Sequence, residues 1–211
     1  MLNNNGLGGL ILTDEIAGHT LTNNGATLDT TDVPEGSGQA AFVSASSQYL
    51  TIASSADLIL HTGATNKSFT IGGWFQFDAA PGDQVWLISK YNITSNARTV
   101  FVKRNPSGYA EVNLGYNGDG TLYEVKLNSS AVLAASTPYL IIFTFDNDTY
   151  AWAIRVRDAA GNVVGTDASG TATLDENGIA VNSEPWYFGA NAGTANFDGN
   201  ADMICFFDRV L

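Results

Sequence analysis

The 211-residue sequence predicts an all-β fold: a two-sheet antiparallel jelly-roll sandwich of about twelve strands with no long helix. Three observations carry that expectation. Apolar and polar residues alternate with a period of two in one segment after another, the pattern of a strand with one buried face. Turn-forming clusters of Asn, Asp and Gly recur at short intervals. Apolar residues at helical spacing are almost absent, and the one helix-like stretch, Ser55-Ala56-Asp57-Leu58, is about one turn long.

Residues 1–16 read as an N-terminal arm, polar and Gly-rich at Asn3-Asn4-Asn5-Gly6 and apolar at Leu10-Ile11-Leu12. A start of that composition is mobile unless something ties it down. The arm is therefore expected to dock on another chain, or to pair Leu10–Leu12 within its own domain. Residues 17–211 read as one domain without linker or internal repeat. In the strand expected over 69–77, Phe69, Ile71, Phe75 and Phe77 share one parity and Trp74 has the other. Either both faces are covered, or Gly72-Gly73 forms a bulge that shifts the register. Trp74 is expected to be buried.

Residues 109–127 read as a β-hairpin. Ala110, Val112, Leu114 and Tyr116 take one face, with Tyr109, Glu111 and Asn113 on the other. Asn117-Gly118-Asp119-Gly120 turns the chain, and Tyr123, Val125 and Leu127 then alternate with Glu124 and Lys126. Tyr139–Phe143 and Met203–Phe207 are apolar throughout, as central strands covered on both sides would be. Tyr150, Trp152, Ile154 and Val156 alternate with Arg155 and Arg157 before Asp158–Asn162 turns the chain into Val163-Val164.

Hydrophobic residues make up 45% of the chain, enough for a full core, and charged residues only 14%, against a usual share of about 25%. The net charge of −12 argues against binding the nucleic-acid backbone, which needs clustered cations. The densest basic run is Lys103-Arg104, with Arg98 nearby. No apolar run approaches the ~20 residues of a membrane-spanning helix. Cys205 is the only cysteine, so an intrachain disulfide is excluded, and its apolar surroundings read as a buried, inert thiol. His19 and His61 sit in loop-like segments without a nucleophile or ligand cluster beside them.

The order of these motifs resembles that of the laminin-G-like domains of the concanavalin A-like lectin/glucanase superfamily. Gly38–Val43 leading to Gln48–Ile52 is similar to that family's opening strands, Phe69–Trp74 to its tryptophan strand, and Tyr139–Asp146 to its central strand. Trp186–Asn191 and Phe197–Leu211 are similar to its closing strands. The resemblance implies a fold that binds or holds rather than reacts. It also implies a structural calcium ion bound in the closing region, a role that only Asp202, and less directly Asp198, can carry here. Calcium takes six to eight oxygens, so backbone carbonyls would have to supply the rest. The alternative for the same residues is a turn at Asp198-Gly199 and a backbone hydrogen bond at Asp202.

Glycoside hydrolases of this superfamily place acids at alternating positions on one strand, and that pattern is missing here. Asp146 and Asp148 have the spacing, but Asn147-Asp148 reads as a turn. The chain is expected to lack catalytic activity. For sugar recognition an aromatic must stand beside amide or carboxylate groups; Tyr109, Glu111 and Asn113 share one polar strand face, and Trp186 beside Tyr187 offers a second platform. The N-terminus lacks the basic and apolar regions of a signal peptide. A lone recognition fold without such a leader fits an accessory component of a virus particle, a phage decoration, fibre or tail protein, which leaves the cell by lysis. Its expected partners are other chains of the assembly and a cell-surface glycan, at the virion surface. The alternative is an extracellular glycan- or protein-binding module.

Overall fold

The computed structural model describes residues 19–31, 33–34, 38–55, 58, 60, 67–92, 97–118, 121–174, 178–180 and 182–211. The arm of residues 1–16 and His61 lie outside them, as do Ala56 and Asp57 of the helix-like stretch 55–58. Among the described residues, two antiparallel sheets of seven strands each face one another. The first runs, edge to edge, β1 (Leu21–Asn24), β4 (Tyr49–Ile52), β13 (Trp186–Phe188), β6 (Val85–Asn92), β7 (Ala97–Arg104), β8 (Tyr109–Gly118) and β9 (Thr121–Val132). The second runs β12 (Ala168–Thr171), β11 (Ala151–Arg157), β10 (Tyr139–Phe145), β5 (Phe69–Phe77), β16 (Gly199–Phe207), β3 (Gln39–Phe42) and β2 (Thr27–Asp29). β14 (Ala190–Asn191) and β15 (Thr194–Ala195) form a separate two-stranded ribbon, tied to β6 where the Ser89 hydroxyl donates to the Ala190 carbonyl oxygen. The strands exceed the dozen expected because several have only two to four residues, too short to show alternation.

The inward faces supply one continuous core. Phe69, Ile71, Phe75 and Phe77 of β5 and Ile141, Phe143 and Phe145 of β10 meet Val100, Val102, Val112, Leu114, Trp186 and Phe188 of the first sheet. Phe197, just ahead of β16, sets its ring 5.4 Å from that of Phe42 and 5.9 Å from that of Phe77. Phe206 of β16 meets Trp186 edge-on at 4.6 Å, a favourable geometry for paired rings. The hairpin forms as expected, with Leu114 opposite Val125 and Val112 opposite Leu127.

Two expectations need correction. The pairing of β5 with β10 runs in unbroken register from Phe75↔Tyr139 to Phe69↔Phe145, so Gly72-Gly73 is not a bulge. The irregularity lies across the sheet in β16, between Asp202 and Cys205, where Met203 adopts φ 47°. The glycines serve close approach instead. A Cβ on Gly72 would stand 2.5 Å from the Ile141 carbonyl oxygen, and one on Gly73 would stand 3.1 Å from Ile204 Cγ1. Ile204 thus fills the inward space that Gly73 leaves. Second, neither β10 nor the 203–207 stretch of β16 is covered on both faces: Leu140, Ile142, Met203, Cys205 and Phe207 are only half-buried. Trp74 does lie on the outer face of the second sheet, opposite Asp202, and is 7% exposed.

Two cations are drawn inside. The Arg104 guanidinium lies 4.2 Å from the Phe77 ring centroid and donates to the Ala79 carbonyl oxygen at 2.8 Å. Lys90 is 1% exposed. Its Nζ donates to Ser54 Oγ at 2.9 Å and to the Glu184 backbone oxygen at 2.5 Å, above the Trp186 ring. Burial outweighs the nearby Glu184 charge and pushes the Lys90 ammonium down to about 8.

Trp186→Ala should cost about 3–5 kcal/mol of stability, measured by urea denaturation; a loss under about 1 kcal/mol would mean that Trp186 is not a packed core residue. Lys90 generates a pH prediction. Between about 8 and its ordinary ~10.4 the unfolded chain holds a proton at Lys90 that the folded chain has released. Stability therefore rises with pH through that window from this group. The difference in urea midpoint between pH 8 and pH 10 should be more positive for the wild type than for Lys90→Met; equal differences would refute it.

Candidate binding face on the first sheet

Strand pleating decides what the outer face of the first sheet carries. Val100, Val102 and Arg104 of β7 turn inward, so Phe101 and Lys103 turn outward. On β8 the inward Ala110, Val112 and Leu114 leave Tyr109, Glu111 and Asn113 outward. Trp86 of β6 stands opposite Lys103, Lys103 opposite Glu111, and Glu111 opposite Asn128. In the next row Phe101 stands opposite Asn113, and Asn113 opposite Lys126. The face is thus aromatic on β6 and β7 and polar on β8 and β9.

Its floor is buried and tied together. Lys103 Nζ lies 2.9 Å from Glu111 Oε1, and Asn105 Nδ2 donates to Glu111 Oε2 at 3.1 Å. Glu124 is the second hub: it accepts from the Tyr91 hydroxyl, from Asn113 Nδ2 at 2.7 Å and from Arg98 Nη1 at 3.3 Å. Burial, then the bond to Glu124, raises the Tyr91 phenol far above its usual range. The Tyr91 ring stacks on Phe101 at 5.2 Å, and the Trp86 ring leans on Phe101 at 6.0 Å. Gly115 lets the strands close here, because a Cβ on it would stand 2.2 Å from the Arg98 carbonyl oxygen. Above this floor Trp86, Tyr109 and Glu124 are half-buried, while Lys126 and Asn128 are exposed.

Four buried atoms of this face make no protein hydrogen bond among the described residues: Trp86 Nε1, Arg98 Nε, Asn113 Oδ1 and Glu111 Oε1, the last of which lies in an ion pair with Lys103. Trp86 and Asn113 flank Phe101, one through the ring contact and the other through the strand register. Sequence reasoning did not single out Trp86 or Lys126 for this face. Each reads alone as an ordinary strand residue; a ring contact brings Trp86 to Phe101, and the strand register sets Lys126 opposite Asn113.

The expected site residues divide between this face and other parts of the fold. Tyr109, Glu111 and Asn113 share the outer face as predicted, but Glu111 and Asn113 are 7% and 3% exposed and serve as its floor. Trp186 is not a surface platform. It is 0% exposed, with its indole Nε1 donating to the Leu58 carbonyl oxygen at 3.1 Å. Its neighbour Tyr187 points the other way and meets the Tyr49 ring at 6.1 Å.

Asp198 is held by Ser44, which donates its backbone N–H to Oδ1 at 2.7 Å and its hydroxyl to Oδ2 at 2.6 Å. Asp202 Oδ1 accepts the Met203 N–H at 2.8 Å. Three residues of extended strand, Gly199 to Ala201, lie between the two acids, so they do not meet. Among the described residues no group of three His, Cys, Asp or Glu side chains could hold a metal ion. Asp146 closes the turn into β11, accepting from the backbone N–H of Asp148 at 2.9 Å. The basic pair Lys103-Arg104 is split by the pleat, one residue to each face. No helix among the described residues is long and apolar enough to cross a membrane.

No protein-family model matches the chain, and no curated protein sequence matches it. Solved structures do. The binding domain of Paraclostridial Mosquitocidal Protein 1 superposes with a TM-score of 0.68 at 13% identity over 94% of this chain. The binding domain of botulinum neurotoxin DC, solved in complex with SialylT, gives 0.66 at 12% over 100%. The enzymatically active domain of bacteriophage CBA120 tailspike protein 2 gives 0.59 at 13% over 89%. The chain spans 46%, 47% and 28% of those structures respectively. At such identities the likeness establishes the jelly-roll sandwich and nothing finer.

Glu124→Ala should destabilise the fold by about 2–4 kcal/mol, because it leaves buried donors on Tyr91, Asn113 and Arg98 without their acceptor. Tyr91→Phe should cost only about 1 kcal/mol. Urea denaturation of both variants checks the order; equal losses would mean that Glu124 is not the hub.

Proposed function

We propose that the chain is a non-catalytic recognition module that binds a glycan through the outer face of its first sheet. The observation that carries this is the pairing of a half-buried aromatic, Trp86, with buried polar atoms that have no protein partner, Trp86 Nε1 and Asn113 Oδ1. Buried polar groups are nearly always satisfied, so this face is arranged to take polar atoms from outside. The carboxylates of Glu111 and Glu124 are both engaged by cations and amides, which suits a framework better than an acid/base pair.

The setting proposed is a virus particle, with the chain as a decoration, fibre or tail component that adheres to the host surface. The likeness to a phage tailspike domain supports that reading. The toxin binding domains support equally an extracellular module for glycan or protein. Membership of the laminin-G-like group belongs to the same proposal and is supported by the two-sheet topology. A structural calcium ion at Asp202 would need backbone carbonyls for its remaining ligands, since Asp198 is occupied by Ser44. If calcium binds there, millimolar calcium should raise the melting temperature and a chelator should lower it; no difference would count against the ion.

Binding of labelled protein to intact cells tests the central reading. Periodate oxidation of cell-surface sugars should abolish binding, and protease treatment should not. Trp86→Ala should reduce binding at least ten-fold, about 1.4 kcal/mol, while keeping the melting temperature within a few degrees. Loss of binding on protease treatment alone would favour a protein partner. Release of new reducing ends from a bound glycan would overturn the non-catalytic assignment.

A further inference from the structure

Resting on that reading, we infer that the first-sheet face selects uncharged, hydroxyl-rich sugar rings and discriminates against sialylated, sulfated or uronic-acid glycans. Three of the orphan atoms set the chemistry. Trp86 Nε1–H and Arg98 Nε–H can only donate, and the Asn113 carbonyl oxygen can only accept. A hydroxyl group suits either kind, because it accepts from an N–H and donates to the amide oxygen. A carboxylate or sulfate oxygen can accept from Trp86 but repels the Asn113 oxygen.

The charges on the face lead to the same class. Lys103 is paired with Glu111 at 2.9 Å, and Arg98 with Glu124 at 3.3 Å. Neither offers an uncompensated positive charge to an anion, and each brings a carboxylate that would repel one. Lys126 is an exposed side chain in water, where a single ion pair contributes little. The chain as a whole carries −12, so its long-range field also opposes anionic glycans. Lys126 stands opposite Asn113 in the strand register.

A printed array of neutral gluco-, galacto- and manno-oligosaccharides beside sialylated, sulfated and uronic-acid ones tests this on the full chain. Three variants or conditions give it resolution: Trp86→Phe, which keeps the ring and removes the N–H; Lys126→Ala; and a salt series from roughly 0.05 to 0.5 M, which screens exposed charges. The expected result is binding to neutral glycans that is insensitive to salt and to Lys126→Ala. Trp86→Phe should weaken it at least ten-fold at an unchanged melting temperature. Binding confined to acidic glycans, lost with salt and with Lys126→Ala, would overturn the inference and leave the recognition module standing. Neutral binding unaffected by Trp86→Phe would remove the ligand from this face. Binding to no glycan at all would overturn the inference and the glycan reading together.

Discussion

The seating of β16 between β3 and β5 is the constraint on which the rest of the structure depends. Without it the second sheet would divide into two pieces, β12-β11-β10-β5 and β3-β2, each with a long unpaired edge. The strand brings Phe197 against Phe42 and Phe77, and Phe206 against Trp186, so one late segment fills the core from both ends. Its bulge at Met203 swings Ile204 into the space that Gly73 leaves. Asp198, just before the strand, ties the Ser44 turn to it. Sheet continuity, core filling and loop anchoring are consequences of one pairing between distant parts of the chain.

The same pleat that fills the core makes the candidate binding face. Every inward Val or Leu on β7 and β8 obliges its neighbours to face outward, so a well-packed core and a patterned outer face are two sides of one alternation. The outer residues are too crowded and too well bonded to be a solvated surface. Glu111 gathers two polar neighbours and Glu124 three, and the aromatic rings of Trp86 and Tyr91 both lean on Phe101. That rigidity holds Trp86 and Asn113 in place without a ligand, which lowers the ordering cost of binding.

Much of this was legible in the chain. The hairpin over 109–127, the parity of Phe69, Ile71, Phe75 and Phe77, and the outward face of Tyr109, Glu111 and Asn113 follow from alternation, which reports a strand's own two faces. Alternation is silent about what covers each face. It therefore could not separate Trp186, buried between the sheets, from Trp86, half-exposed above them. Nor could it show that Glu111 and Asn113 lie under their neighbours, or place the irregularity in β16 rather than at Gly72-Gly73. Each of those depends on which strand is the neighbour.

By itself, the sequence determined the class of the fold, the strands with long alternating runs, and the sign of the protein's field. Those properties are written residue by residue, in side-chain chemistry at a period of two and in a surplus of acids. The tertiary structure alone decided that β13 lies between β4 and β6, that β16 lies between β5 and β3, and that Trp86, Phe101, Asn113 and Lys126 share one patch. The physical reason is that antiparallel pairing joins segments far apart in the chain. Its choice is set by the joint packing of two sheets, which no local stretch of residues contains.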